Sequence, residues 1–301
     1  MRVLITGATG LVGQEITRVC HQSNINVNYL TTNRDKIKIE ENYKGFFWNP
    51  GSGEIDLDCF EEVEVIIHLA GASIAKRWTK KYKKEIIDSR VLTTALILES
   101  LKTIQHTVRH IVSASAVGIY PDSFQKYYME DAEEKSTDFL GEVVKQWEAA
   151  VMEFKNHQIE VSLLRIGLVL ASSGGAFPKI SKPVKQGLGA VFGNGKQWQS
   201  WIHLEDLALL FMFVVEEELK GVFNAVAPNP VSNKKLTHII ATKVGKKIVL
   251  PNVPKFVMRL ILGEMHMLLF SSQRVCSNKT REAGFYFNYD NVTTAVDSLI
   301  E

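Results

Sequence analysis

The chain has 301 residues, 46 % hydrophobic and 23 % charged, with a formal net charge of +2. That length holds one large α/β domain and a smaller appendage, and the near-neutral balance gives no reason to expect nucleic acid or a membrane surface as a partner. The three cysteines, Cys20, Cys59 and Cys276, are odd in number and far apart, which argues against a disulfide framework or a zinc site and for a reducing compartment.

In chain order, residues 3–6 read as a short buried strand reached directly from Met1, without the longer apolar stretch of a secretion signal. The longest apolar runs, such as 207–215, are too short to span a bilayer, so a cytoplasmic protein is expected. Residues 13–22 read as a helix and 26–31 as a second strand. The run 63–69 (VEVIIHL) is mostly apolar, as in a strand buried on both faces. A helix over 82–102, a strand over 108–113, a helix over 141–157 and a strand over 161–170 follow. This alternation predicts a doubly wound α/β fold with a parallel sheet and right-handed crossovers.

Beyond residue 170 the pattern changes. Glycine-rich loops at 172–175 and 187–195 precede helices over 205–218 and 234–244. A proline-flanked segment, 251–254, leads into a Met-rich apolar helix over 256–270. The expected division is a dinucleotide-binding half over 1–170, to which segments such as 200–228 return. A smaller substrate lobe with a C-terminal extension then takes most of 171–301.

Between the first strand and first helix stands Thr6-Gly7-Ala8-Thr9-Gly10-Leu11-Val12-Gly13, a G-x-x-G-x-x-G spacing in the context that a dinucleotide fingerprint requires. Gly7 permits the tight turn, Gly10 lets the backbone approach a pyrophosphate, and Gly13 lets helix and strand pack closely. Thr9, Leu11 and Val12 complete the expected cofactor-binding loop, whose helix N-terminus presents unpaired N–H groups to phosphate. The second strand ends Leu30-Thr31-Thr32-Asn33-Arg34, without the acidic residue that would hold a ribose 2′-hydroxyl. A carboxylate repels a 2′-phosphate and a guanidinium binds it, so Asn33 and Arg34 favour NADP(H) over NAD.

TGATGLVG (6–13), HLAG (68–71) and SASAVGIY (113–120) together resemble the extended short-chain dehydrogenase/reductases. Trp48-Asn49-Pro50, RWT (77–79), Ser89-Arg90, FLGEVVKQWEA (139–149), GNGKQWQSWIHLEDL (193–207), LGEM (262–265) and AGFYFNY (283–289) narrow the resemblance to the epimerase-like, NADP-binding atypical subfamily with a short C-terminal extension. It spans nearly the whole chain. The substrates of that subfamily are generally not established. The resemblance implies Leu69, Ala70 and Gly71 near the pyrophosphate, Trp48 and Asn49 near the adenine, Gly167 and Leu168 behind the nicotinamide, and Arg77 and Arg90 facing the cleft. It also implies a homodimer built on helices 82–102 and 141–157.

One element of the superfamily is missing. Its Tyr-x-x-x-Lys pair, which does the proton chemistry, falls here on Phe139 or Leu140 and on Val143 or Val144. Lys145 is rotated away by roughly 100–200° of helix. The catalytic candidates that remain are Ser115, either substrate-orienting or a local backbone cap, Tyr120, either in the cleft or a packed loop aromatic, and Arg90, which can stabilise an oxyanion but cannot act as a base. Two functions stay open: an NADP(H)-dependent oxidoreductase or epimerase acting on a small carbonyl or hydroxyl substrate, and an NADPH-occupied sensor or scaffold.

Other patterns carry less. The basic run 76–84 reads as a solvated helix face, with Arg77 as the exception. Asp206, near His203, suits a helix cap rather than a catalytic pair, and no histidine–carboxylate cluster has metal-ligand spacing. The Met-rich helix reads as lobe core or as an adaptable pocket. Residues 172–177 and 198–201 are the candidate substrate wall.

Overall fold

The computed structural model describes residues 1–300. Its centre is seven parallel strands: β1 (Arg2–Thr6), β2 (Asn26–Thr31), β3 (Tyr43–Asn49), β4 (Val65–His68), β5 (His110–Ala116), β6 (Glu160–Ile166) and β7 (Gly221–Ala225). They lie in the order β3-β2-β1-β4-β5-β6-β7. Two short antiparallel strands, Ile39–Glu40 and Glu54–Ile55, pair with β3. The central strands are nearly continuous runs of buried Val, Leu and Ile, as a sheet covered on both faces demands.

Right-handed crossovers that run outward in opposite directions from β1 and β4 put their helices on opposite faces. Helix α1 (Leu11–Gln22) packs against α5 (Leu204–Glu216), and α2 (Lys80–Thr103) against α3 (Phe139–Met152). α5 buries Leu207, Leu210, Phe211, Val214 and Val215, a wide apolar stripe against the sheet and α1. The order in which strands are added reverses between β1 and β4, so a crevice opens at the carboxyl ends of these parallel strands, the place where doubly wound sheets take their ligands.

Two expected elements are broken, and glycine explains both. The strand expected over 161–170 ends at Ile166, and Leu168–Leu170 leaves the sheet to pair in parallel with Trp201–His203. At the break, a Cβ on Gly167 would lie 2.2 Å from the Ser200 carbonyl oxygen, so only glycine lets the two segments cross. The helix expected over 256–270 is divided at Gly263, whose φ is +59°. The result is α7 (Lys255–Leu262), a 3₁₀ turn and α8 (Met267–Phe270).

Outside the sheet, α4 (Phe177–Lys185), α6 (Asn233–Lys243) and α10 (Val292–Ile300) surround a second apolar core of Leu170, Phe177, Trp201, Leu236, Ile240 and Val296, while α9 (Asn278–Glu282) packs on β7, Thr280 donating to the Asn224 carbonyl. The cap of α5 is not Asp206 but His203, whose Nδ1 accepts the Glu205 N–H at 3.2 Å. Asp206 is fully buried and accepts the backbone N–H groups of Asn288 and Tyr289, each at 2.9 Å, pinning the C-terminal segment to the first turn of α5. Among the described residues, no helix is long and apolar enough to cross a membrane.

Candidate coenzyme and active site

The turn between β1 and α1 has room only for glycine. Gly7 has φ +75°, and a Cβ on it would lie 3.2 Å from the Leu69 carbonyl carbon. A Cβ on Gly13 would lie 2.3 Å from the Gly7 oxygen and 2.6 Å from the Ala8 Cα, so the helix is seated directly on the turn. Gly10 caps α1 with extended backbone and no side-chain hydrogen bond, which leaves the first-turn N–H groups for an external anion. This glycine cradle at a bare helix N-terminus fits a pyrophosphate.

The cradle opens into a cleft of about 780 Å³. Gly7, Thr9, Ala70 and Gly71 line its floor, Leu30, Trp48 and Pro50 one end, and Lys84, Asp88, Ser89 and Thr93 the wall supplied by α2. The loop after β6 reaches the same region: a Cβ on Gly174 would lie 3.4 Å from the Leu11 side chain.

A buried hydrogen-bond chain fixes this floor. Thr6 Oγ1 accepts the N–H groups of Leu69 and Ala70 at 3.0 and 3.1 Å. Its own proton therefore goes to His68 Nδ1, 2.8 Å away. That puts the ring proton on Nε2, which donates to Thr94 Oγ1 at 3.0 Å, and Thr94 donates in turn to the Arg90 carbonyl at 2.7 Å. Burial, with the nearby Arg90 charge, lowers the His68 pKa to about 3, so the ring stays neutral and the chain keeps one direction.

Arg90 projects from α2 behind Gly71, where a Cβ would lie 2.9 Å from its Cζ. Its Nη1 donates to the Ile86 and Ala72 carbonyls at 2.9 and 3.3 Å, and its guanidinium lies 5.0 Å from the Trp147 ring centroid. Among the described residues no carboxylate pairs with it. Burial lowers its pKa to about 10, which leaves it charged at neutral pH. The strand end thus carries a half-buried, unneutralised cation.

At the other end of the cleft, the Arg34 guanidinium stacks on Phe47 with Cζ 3.6 Å from the ring centroid, and Nη2 meets Glu54 Oε1 at 3.2 Å. Asn33 is exposed, and its side chain accepts the Asp35 N–H at 2.9 Å. Asn49 is likewise exposed and turns its Oδ1 onto the Gly51 N–H at 3.2 Å. Trp48 is buried along the cleft and Leu69 half-buried. Arg77 is exposed before α2, and Gly167 and Leu168 sit at the strand crossing described above. Leu11, Val12 and Gly13 form the first turn of α1.

The structure places two of the three catalytic candidates elsewhere. Tyr120 is fully buried and stacked on Tyr128. Its hydroxyl donates to Asn224 Oδ1 at 2.7 Å and accepts from Arg165 Nη1 at 3.0 Å. Ser115 is 2 % exposed and donates to Glu148 Oε1 at 2.5 Å. The same carboxylate receives a two-pronged bond from Arg165, 2.9 Å from Nε and 3.0 Å from Nη2. Both hydroxyls are thus used by an internal network that ties β5, β6, β7 and α3 together. The superfamily's Tyr–Lys positions are apolar: Phe139 packs on Trp78 with ring centroids 5.0 Å apart, and Val143 and Val144 are buried.

Sequence reasoning missed Thr6, His68, Thr94 and Glu148. Thr6, His68 and Glu148 stand inside the quoted motifs, and for Thr6 and His68 a polar pair at the end of two adjacent apolar strands was the available signal. Glu148 gives no such signal, since its partners lie 17 and 33 residues away.

Comparison with known proteins agrees with this geometry. The profile of the NAD dependent epimerase/dehydratase family matches residues 3–225, and that of a domain of unknown function, DUF1731, matches residues 253–299. An epimerase family protein of Staphylococcus epidermidis is 33 % identical over 304 residues, covering 100 % of this chain and 99 % of its own. One from Staphylococcus aureus is 33 % identical over 302 residues, covering 99 % of this chain and 98 % of its own. The crystal structure of the human epimerase family protein SDR39U1 with NADPH superposes with a TM-score of 0.86 at 26 % identity, over 99 % of each chain. A nucleoside-diphosphate sugar epimerase from Corynebacterium glutamicum gives a TM-score of 0.77 at 28 % identity, over 98 % of this chain and 57 % of that one.

Proposed function

Because the chain belongs to the NAD dependent epimerase/dehydratase family, we propose that it is an NADP(H)-dependent oxidoreductase or epimerase-like enzyme acting on a small carbonyl or hydroxyl compound, with Arg90 as the charge-stabilising residue. The glycine cradle of Gly7, Gly10 and Gly13 holds the pyrophosphate, and the adenine end lies against Trp48. Arg34 and Asn33 receive the 2′-phosphate. The human relative crystallised with NADPH supports this choice of coenzyme. When bound, the coenzyme gives or takes a hydride.

The observation that carries the reading is the unneutralised Arg90 at the end of β4. A guanidinium with no carboxylate partner in a half-buried site is placed to hold negative charge. It suits a substrate that develops an oxyanion or carries an acidic group. It cannot take up a proton at neutral pH, and Leu140 and Val144 supply no ionisable pair, so the proton is exchanged with solvent or with another ionisable group of the cleft such as Lys84 or Asp88. The proposal includes a cytoplasmic location, which suits three buried free cysteines, and a homodimer on α2 and α3, whose residues Ile86, Ile97, Val143 and Val151 are themselves buried within the single chain and so leave the contact to other side chains of these helices.

A second reading, an NADPH-occupied sensor or scaffold, is favoured by the engagement of Ser115 and Tyr120 in the internal network. NADPH oxidation followed across a panel of carbonyl compounds, acidic ones included, separates the two. Turnover supports the enzyme. Tight NADPH binding without turnover of any compound supports the sensor.

A further inference from the structure

The small formal charge of the whole chain conceals an asymmetry. Residues 219–263 contain eight lysines and arginines and no aspartate or glutamate. Seven of the eight, including Lys246, Lys247, Lys255 and Arg259, lie in α6, α7 and the loop between them. The coenzyme cleft uses none of these side chains.

The same stretch departs from ordinary packing. α7 reads KFVMRLIL, yet none of its residues is buried. Phe256 is 66 %, Leu260 79 % and Ile261 62 % exposed, and just before them Val249 is 74 % exposed. Phe256 and Leu260 are four residues apart and share one helix face. The segment is not loose: the Val253 N–H donates to the Val191 carbonyl at 2.8 Å, and the Gly193 N–H donates to the Val253 carbonyl at 2.9 Å. Single exposed apolar residues are common, but a run of them on one anchored helix, among basic residues only, marks an interaction surface.

We propose that residues 246–262 dock this protein on an anionic phospholipid surface. Phe256, Leu260 and Ile261 enter the boundary between headgroups and acyl chains, and Lys246, Lys247, Lys255 and Arg259 meet the lipid phosphates. A second copy of the chain is a poor occupant, because two faces with only positive charge repel each other. An acidic protein would need a groove-and-ridge fit, whereas here the apolar side chains project from a helix that buries none of its own.

The test is sedimentation of the full chain with vesicles of phosphatidylcholine alone and of phosphatidylcholine mixed with phosphatidylglycerol, at low and high ionic strength. Wild type is expected to sediment with the mixed vesicles only, and less as salt rises. Phe256→Ser with Leu260→Ser, and separately Lys246→Gln with Lys247→Gln, are each expected to weaken partitioning about tenfold or more. Circular dichroism and NADPH affinity, expected to match wild type, establish that the variants are folded. No binding to the mixed vesicles overturns the proposal, as does binding that both variants retain. A dimer seen by light scattering in wild type and lost in Phe256→Ser/Leu260→Ser, without vesicle binding, assigns the face to self-association instead.

Discussion

Arg34 gives the sharpest test of coenzyme choice. Its guanidinium is 66 % exposed, stacked on Phe47 and joined to Glu54 at 3.2 Å. An exposed ion pair is worth about 0.2–1 kcal/mol and an exposed cation–π contact about 0.5–1 kcal/mol, enough to orient the group without consuming its charge. A hydrogen bond from a guanidinium to a phosphate contributes about 1.5–3 kcal/mol, roughly ten- to a hundredfold in affinity. Arg34→Ala is therefore expected to weaken NADPH by about that factor and to leave NADH, which has no 2′-phosphate, nearly unchanged. Glu54 competes with the phosphate for the same guanidinium. Glu54→Gln should tighten NADPH by up to about fivefold, the equivalent of about 1 kcal/mol. Calorimetric titration of the three proteins with both coenzymes measures each effect. Equal losses for NADPH and NADH in Arg34→Ala, or weaker NADPH binding in Glu54→Gln, would refute the reasoning.

Gly13→Ala places a methyl 2.3 Å from the Gly7 oxygen, where only backbone can yield. About 1–3 kcal/mol of stability and most of the coenzyme affinity should be lost, as read by denaturant melts and titration. Ser115→Ala removes a hydrogen bond to a carboxylate inside the network, so it should cost about 1.5–3 kcal/mol of stability while leaving turnover within a few-fold. A large fall in turnover at unchanged stability would return Ser115 to the active site. Burial lowers His68 to about 3 and His110 and His203 to about 4, all below the unfolded value of 6.5. The unfolded chain then protonates first, so their contribution is complete above about pH 6.5 and is lost as pH falls, at about 1.4 kcal/mol per unit for each ring. Asp206, raised by burial from 3.8 to about 6, works in the opposite sense as pH falls from 6 to 3.8, and offsets one of the three. Urea melts should show stability declining between about pH 6 and pH 4, and a flat profile would count against three neutral buried rings.

The sheet was legible because strands buried on both faces must be continuous apolar runs, and the glycine loop because Gly7 takes a positive φ and Gly13 lies where a Cβ would overlap backbone. The end of the strand at Ile166 was not legible, since what stops it is the Ser200 carbonyl against Gly167, 33 residues further on. Helix α4, FPKISKPVK, was hidden by its internal Pro183, and α9 and α10 are too short for a clear period. The identity of Ser115 and Tyr120 as polar residues near a strand end was plain, but the direction of their side chains was not. Glu148 and Asn224, brought in from α3 and β7, decide it. Arg90 was singled out by position, yet its lack of a carboxylate partner is a property of the fold alone. The even charge of the whole chain likewise averaged away the one-signed segment 219–263.

The central claim is that an NADP(H)-dependent hydride transfer takes place in this cleft with Arg90 holding the developing charge. NADPH carrying deuterium at the transferable position, incubated with wild type and with Arg90→Ala across a panel of acidic carbonyl compounds, tests it most directly by mass spectrometry of the products. The account predicts deuterated product from wild type and a yield about a hundredfold lower from Arg90→Ala, with NADPH affinity kept within a few-fold. Equal yields from the two proteins would contradict it.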